Sequence, residues 1–206
     1  MNATVPPAAM APAGLDEDAA RAEIYGLLAH LFYAPSAELL AQLRDAPAAA
    51  PGSVLEASWN TLVASASELD AGAVQAEYDA LFGGVGKPEV YLFGSRYLAG
   101  FLNEKPLVRL RDDLAALGLA RDPAISDTED HIACLCEVMR LLIAGTGAEP
   151  AGLARQRDFF GAHIQPWAAD LCDAIVAQPA ARFYARAADF IRDFVQVEAQ
   201  GFDMLS

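Results

Sequence analysis

Apolar residues recur at intervals of three and four along almost the whole chain, and this spacing constrains the fold more than any other feature. One such stripe is Ile24, Leu27, Leu28, Leu31 and Phe32. The spacing places these side chains on one face of an α-helix. The alternation of period two that would indicate strands is absent. About ten such segments without an internal repeat predict an all-α fold, a single-domain helical bundle or globule in which each helix buries one face against a neighbour.

Residues that cap helices mark several of the predicted ends. Ser53 with Glu56, and Ser126 with Glu129, have the Ser-x-x-Glu spacing of a capping box. In a capping box the two side chains accept hydrogen bonds from backbone N–H groups that the first helical turn leaves unpaired. Gly118 suits the position just after a helix end. These residues predict that helices begin at both serines and that another helix ends before the glycine.

The segment Ser126 to Ile143, SDTEDHIACLCEVMRLLI, predicts a long and largely buried helix. Its apolar positions recur at three and four as far as the stop at Gly145. An Asp130-His131 pair lies in the opening turn, beside the loop that leads into the helix. A polar pair at such a position indicates a binding site. A structural interpretation, in which His131 bonds a nearby carboxylate or loop carbonyl, stays open.

A glycine-rich loop interrupts the helical pattern at Gly83 to Ser95, GGVGKPEVYLFGS. The apolar cluster Val90, Tyr91, Leu92 and Phe93 lies within it. Loops normally contain few apolar residues, so this one is expected to contact something. Two interpretations stay open: the loop binds a partner, or its aromatic side chains anchor it in the core.

The chain of 206 residues carries a formal net charge of −14, and 54% of its residues are hydrophobic. Such a chain is long and apolar enough to fold around a full core. Its charge would repel nucleic acids and anionic membranes and would attract a cationic peptide or protein. The alternative is that the acidity serves solubility alone.

The first residues, 1–14, have the sequence MNATVPPAAMAPAG and are predicted to be a disordered Ala/Pro tail, with the folded domain at 15–206. No basic residue precedes an apolar run there, as it would in an export signal. No uncharged apolar run approaches the roughly 18 residues of a membrane span. We therefore expect a cytoplasmic protein without stable membrane insertion.

Signals for catalysis are weak. Cys134 and Cys136 are two residues apart on a predicted helix, so their thiols point roughly 200° apart and cannot share a metal ion. The sequence GGVGK at 83–87 lacks the first glycine and the Ser or Thr of a phosphate loop. Asp130 and His131 diverge as neighbours on a helix, which disfavours a catalytic pair. No catalytic residue, metal or cofactor is predicted.

Several motifs, in the family's order, resemble the TorD/DmsD family of redox-enzyme maturation chaperones. The segment RAEIYGLLAHLFYAPSAELLAQL is similar to the family's opening helix pair, and DTEDHIACLCEVM to its Glu-Pro-x-Asp-His motif. The run FFGAHIQPWAADLCDAIVAQPAARFYARAADF is similar to its last helices. The central motif is matched by Tyr78, Leu81 and Phe82, followed by Pro88 and the Gly94-Ser95-x-Tyr97 run.

This resemblance implies a cytosolic, non-enzymatic chaperone. Its partners would be the twin-arginine leader peptide and the apo-form of a molybdoenzyme, of the formate dehydrogenase or DMSO/TMAO reductase type. Binding would support cofactor insertion and delay export. We expect Asp130→Ala or His131→Ala to weaken leader binding and leave the fold intact. The resemblance places the leader groove at Tyr78, Leu81, Phe82, Pro88, Leu92, Phe93, Ser95 and Tyr97, with Asp130 and His131 at its edge.

Two other classes of protein stay open. One is a helical scaffold that assembles a redox enzyme without recognising a leader. The other, less favoured, is a small nucleotide-binding or hydrolytic helical protein that uses Asp130 and His131 in a pocket. The chain is expected to be a monomer, or a domain-swapped dimer through a hinge at Gly118 to Ser126.

Overall fold

The fold is described from a computed structural model for residues 17–83, 87–102, 105–121, 127–145 and 152–204. Within these ranges the chain forms ten α-helices and no strand, which confirms the predicted all-α class. The predicted tail at 1–14 lies outside the described residues. No described helix has the length and apolar composition needed to cross a membrane. The helices are α1 (Glu17–Tyr33), α2 (Ala37–Asp45), α3 (Glu56–Glu68), α4 (Ala71–Phe82), α5 (Gly94–Ala99), α6 (Lys105–Ala116), α7 (Ile132–Ala144), α8 (Leu153–His163), α9 (Gln165–Val176) and α10 (Phe183–Asp203).

The first helix runs through the core of the fold. Residues from Ile24 to Ala29 are all buried, so neighbouring elements cover α1 on every side. Its most extensive helix partner is α7, which buries the predicted stripe from Ile132 to Ile143. The apolar spacing of the two segments is therefore explained by their mutual packing.

The last helix, α10, packs against α9, α3, α4 and α8. Its start has no side-chain cap of its own, and Glu77 of α4 supplies one. The buried Glu77 carboxylate accepts hydrogen bonds from the N–H groups of Arg182 at 2.8 Å, Phe183 at 3.1 Å and Tyr184 at 2.8 Å. A carboxylate at a helix N-terminus pairs the orphan N–H groups and faces the positive end of the helix dipole.

A buried ion pair joins α1 to α10. The Arg21 guanidinium donates to both carboxylate oxygens of Glu198, at 2.7 Å and 3.0 Å. The Tyr25 hydroxyl donates to the same carboxylate at 2.9 Å. Because Glu198 is only 5% exposed, these donors are what satisfy its charge inside the fold.

The predicted capping box of Ser53 and Glu56 is wrong. α3 begins at Glu56 after the N-cap Leu55, and the Glu56 carboxylate accepts from the Gly52 N–H at 2.6 Å instead of from Ser53. The Ser53 hydroxyl has no hydrogen-bond partner among the described residues. The turn at Gly52 has left-handed backbone (φ 80°), which redirects the chain before the helix can begin at the serine.

The start of α7 was also predicted too early. Ser126 lies outside the described residues, and the helix begins only at Ile132, so Asp130 and His131 precede it. The Glu129 carboxylate lies in a turn and pairs with Arg111 at 2.9 Å and Arg121 at 3.6 Å. These partners compete with a local cap and hold the segment outside the helix.

The predicted helix end before Gly118 is confirmed. Gly118 has a φ of 72°, the left-handed region in which glycine is favoured. The Leu119 N–H donates to the Leu114 carbonyl at 2.9 Å, and the Gly118 N–H to the Ala115 carbonyl at 3.0 Å. This is the Schellman pattern, which pairs the last carbonyls of α6.

Candidate functional site

Asp130 lies in the turn before α7, with 3% of its surface exposed. Its Oδ2 accepts a hydrogen bond from the Ser95 N–H at 2.8 Å, and its Oδ1 accepts from the Thr128 hydroxyl at 2.6 Å. Its main-chain oxygen accepts from the Gly94 N–H at 2.9 Å. Asp130 therefore fastens the turn before α7 to the first residues of α5.

His131 is the N-cap of α7, and its Nδ1 accepts from the Ala133 N–H at 3.1 Å. Its main chain forms an isolated antiparallel bridge with Phe93, and the two rings meet edge to face at 5.0 Å. The Ile132 N–H donates to the Leu92 carbonyl at 2.8 Å. Burial lowers the pKa of His131, against two nearby carboxylates that raise it. The imidazole is thus held neutral, in the form that caps the helix.

The structure brings half of the predicted site residues together, from two segments that are far apart in sequence. We call residues 92–95 and 130–132 the motif junction. Of its predicted members, only Phe93 is half-buried and the others are buried. Phe93 is therefore the member that offers the most surface to a peptide. The five predicted members are Leu92, Phe93, Ser95, Asp130 and His131.

Tyr97 lies beside the motif junction. Its hydroxyl donates to the Tyr91 carbonyl at 2.7 Å, and its ring stacks on Trp167 at 5.3 Å. Trp167 is buried and donates from Nε1 to the His163 carbonyl at 2.6 Å. Gly94 packs closely on the same indole, because a Cβ atom there would lie 3.0 Å from Nε1. Tyr97 and Trp167 thus hold the end of the predicted loop, whose own aromatic side chains, Tyr91 and Phe93, stay half-buried.

Tyr78 and Phe82 belong to a separate aromatic cluster at the end of α1. The Tyr78 hydroxyl donates to the main-chain oxygens of Phe32 at 3.1 Å and Tyr33 at 2.9 Å. The rings of Tyr78 and Phe82 meet edge to face at 5.2 Å, and both contact Tyr184. Burial raises the pKa of Tyr78 to about 12, so its hydroxyl keeps its proton and remains a donor.

Leu81 and Pro88 lie on the segment between this cluster and the motif junction. Leu81 is buried, and its carbonyl accepts from the Val90 N–H at 2.9 Å. Pro88 is half-buried. Among the described residues no hydrogen bond or ring contact joins Tyr78 or Phe82 directly to the motif junction. The described contacts therefore divide the ten predicted residues into two groups, with Leu81 and Pro88 on the segment between them.

A cleft of about 1020 Å³ opens beside the motif junction, between α5, α6 and α8, and we call it the polar cleft. Ser95 and Asp130 contribute to its wall. Three cationic side chains, Lys105, Arg109 and Arg157, line it together with two carboxylates, those of Asp130 and Asp158. This concentration of positive charge contrasts with the strongly acidic chain as a whole.

A second concave surface of about 420 Å³ lies between α1, the end of α6 and α7, and we call it the apolar groove. Its ionisable members are Arg121, Glu129 and Glu137, with His30 at the α1 side. The remaining lining residues are apolar or aromatic, apart from Cys134. The apolar members include Ala29, Tyr33, Leu114, Leu119, Val138 and Leu141.

Sequence reasoning missed both concave surfaces. Lys105 and Arg109 are one helical turn apart, a spacing that places both on one face of α6, and this was the available signal for the cleft. The apolar groove had no such signal, because helices distant in sequence form it. Among the described residues no group of three His, Cys, Asp or Glu side chains could hold a metal ion.

Residues 48–173 match the sequence model of the family described as the nitrate reductase delta subunit. The matched segment covers more than half of the chain and contains the whole motif junction. The chain belongs to this family. The resemblance to the TorD/DmsD maturation chaperones is thereby confirmed, and so is the prediction that the protein is not an enzyme.

The fold of this chain also occurs in the solved structure of another protein. It is the crystal structure of a protein from Archaeoglobus fulgidus whose assignment as a redox enzyme maturation protein is provisional. The two folds agree with a TM-score of 0.56 over 85% of this chain and 93% of that chain, at 18% sequence identity. A comparison with curated proteins finds no match. As a member of this family, the protein is a redox enzyme maturation chaperone.

Proposed function

We propose that this chaperone acts in the cytoplasm on a molybdoenzyme of the formate dehydrogenase or DMSO/TMAO reductase type. It binds the enzyme's twin-arginine leader and its apo-form, supports insertion of the cofactor and delays export until insertion is complete. The observation that carries the proposal is the motif junction. Its residues come from two distant segments, and a hydrogen-bonded contact fastens them together between two concave surfaces.

The physical properties of a leader suit the surface of this chain. A leader has a cationic front and an apolar middle, so its receptor needs negative potential and an apolar surface. The net charge of −14 supplies the first at long range, where it speeds encounter with a cationic peptide. The apolar groove and the half-buried aromatic side chains of Tyr78, Phe82 and Phe93 supply the second.

The proposal is tested by calorimetric titration of the full chain with synthetic twin-arginine leaders from the organism's own molybdoenzymes. A leader with both arginines replaced by alanine is the matched control. We expect tight binding of one leader. Its alanine version should bind more weakly, because it lacks the two positive charges that the acidic chain attracts. If no leader binds, leader recognition is refuted.

A second comparison separates this proposal from a scaffold that assembles the enzyme without reading a leader. The chaperone is mixed with apo-enzyme that carries or lacks the leader, and the two affinities are compared. A leader-binding chaperone prefers the intact form. Equal affinity for the two forms supports the scaffold instead.

A further inference from the structure

Half of the ten residues that the motifs assign to leader binding are buried in this structure. Leu81 is 1% exposed, Leu92 4%, Ser95 1%, Asp130 3% and His131 5%. Asp130 and His131 are hydrogen-bonded to neighbouring groups, and the Ser95 hydroxyl has no hydrogen-bond partner among the described residues, so these five residues offer a peptide little apolar surface. The surface that holds the leader's apolar part therefore needs residues beyond these five.

The two concave surfaces differ in what they can accept. Three cations and two carboxylates line the polar cleft, so its lining is positive on balance and disfavours a peptide whose front carries two arginines. The apolar groove has two carboxylates, Glu129 and Glu137, and one guanidinium, that of Arg121. Glu129 is paired with Arg111 and Arg121, and Glu137 with Arg140, so a leader arginine would replace one of these partly exposed partners. The groove's volume of about 420 Å³ falls within the range of natural ligand sites, and its lining is mostly aliphatic.

The surroundings of the groove carry negative charge beyond its two glutamates. Cys134 lines the groove and is half-buried. Burial, with a further contribution from the carboxylates of Asp127, Glu129, Asp130 and Glu137, raises the pKa of its thiol to about 11. Four carboxylates therefore lie close enough to one wall of the groove to act on a single thiol.

The groove is also continuous with part of the predicted site. Tyr33 lines it, is 53% exposed, and accepts the Tyr78 hydroxyl at its main-chain oxygen, 2.9 Å away. Tyr78 in turn contacts Phe82. An extended or helical segment that leaves the groove past Tyr33 would meet these half-buried aromatic rings next.

We infer that the apolar groove between α1, α6 and α7 binds the apolar middle of the leader, with its arginines against the carboxylates at the border. This inference rests on the proposed function and makes it more specific. The polar cleft is then not the arginine site. The anchors in the groove are Ala29, Tyr33, Leu114, Leu119, Val138 and Leu141.

Cys134 provides a direct test that needs no substitution. It is the half-buried cysteine of the chain, whereas Cys136 and Cys172 are buried. Alkylation of each thiol is followed by mass spectrometry at alkaline pH, with and without leader. At a leader concentration ten times its Kd, about a tenth of the protein stays free, so alkylation of Cys134 should slow about tenfold.

A pair of variants tests the same surface by affinity. Val138→Glu places a carboxylate within the groove, where it would be desolvated by a bound apolar segment, and we expect leader affinity to fall about tenfold or more. Val176→Glu is the matched control, since Val176 is 47% exposed at the end of α9 and outside the groove. It should bind the leader as the wild type does.

The outcomes separate this inference from the proposed function. If no leader gives a calorimetric signal with the wild type, the proposed function itself fails. If a leader binds but Cys134 is unprotected and both variants keep full affinity, the groove is not the site and the proposed function stands. Protection of Cys134 that rises with protein concentration alone would show that a second copy covers the groove, which also overturns the inference.

Discussion

The cap that Glu77 provides for α10 makes a sharp prediction about stability. Its Oε1 accepts from the N–H groups of Arg182 and Tyr184, and its Oε2 from the N–H of Phe183, which is fully buried. Glu77→Gln keeps the shape of the side chain but replaces one acceptor oxygen with an NH₂ group. One N–H at the start of the helix then faces another donor and has no acceptor.

Two losses add up in this variant. An unpaired buried N–H costs about 1–3 kcal/mol, and removal of the negative charge from the helix N-terminus costs about 0.3–1 kcal/mol. We therefore expect the free energy of unfolding to fall by roughly 1–4 kcal/mol. For a domain of this size a loss of 3 kcal/mol lowers Tm by roughly 6–12 °C.

Urea denaturation followed by circular dichroism measures this change. The midpoint should fall while the m-value stays constant, because the folded state keeps its compactness. Glu68→Gln is the matched control, since Glu68 is exposed at the end of α3, and its effect should stay within about 0.5 kcal/mol. If Glu77→Gln is as mild as the control, the carboxylate does not stabilise α10 and the reasoning is refuted.

Three further variants test other contacts. Gly94→Ala would push a Cβ atom to 3.0 Å from Trp167 Nε1, so denaturation should show a loss of about 1–3 kcal/mol. His131→Asn keeps a good N-cap but removes the imidazole ring. Because the pKa of His131 is lower in the folded than in the unfolded state, the stability of the wild type falls as the pH drops through about 6.5. The variant should therefore lose less stability between pH 7 and pH 5 in urea titrations. Arg21→Ala leaves Glu198 buried without its ion-pair partner, and unfolding should become easier by about 3–5 kcal/mol.

Each of these variants has a control or a result that would contradict it. Gly26→Ala brings a Cβ atom to 3.0 Å from Arg140 Cδ, a mobile part of a long side chain, so it should cost little while Gly94→Ala is costly. An unchanged pH dependence in His131→Asn would mean that other groups cause the loss at low pH. A mild effect of Arg21→Ala would mean that Glu198 is protonated or hydrated once the arginine is absent.

The helices could be predicted from the sequence because the spacing of apolar residues is local information. The start of α3 could not, because the local turn at Gly52 binds the Glu56 carboxylate, and the start of α7 could not, because residues elsewhere in the chain bind its capping groups. Glu129 binds Arg111, 18 residues away, and Asp130 binds the Ser95 N–H, 35 residues away. Long-range hydrogen bonds of this kind outweigh a capping box that is worth about 1 kcal/mol.

The candidate site was predictable only in part, for a related reason. The family resemblance identified the motif residues, and five of them do meet at the motif junction. The resemblance did not indicate that Asp130 is buried and that its carboxylate accepts hydrogen bonds from two donors. Asp130→Ala is therefore now expected to weaken the fold as well as any binding. The apolar groove depends on how three helices distant in sequence pack together, which no spacing along the chain encodes.

The ion pair between Arg21 and Glu198 joins residues that are 177 positions apart. On the ribosome, the buried arginine of α1 is therefore made long before its partner. Glu77 likewise precedes the N–H groups that it caps by 105 to 107 residues. Contacts of such long range slow folding, because the chain must close large loops before the contacts can form. A nascent chain without α10 leaves apolar faces of α3, α4 and α9 uncovered, so a protein that shelters unfinished enzymes itself passes through a late, aggregation-prone stage of synthesis.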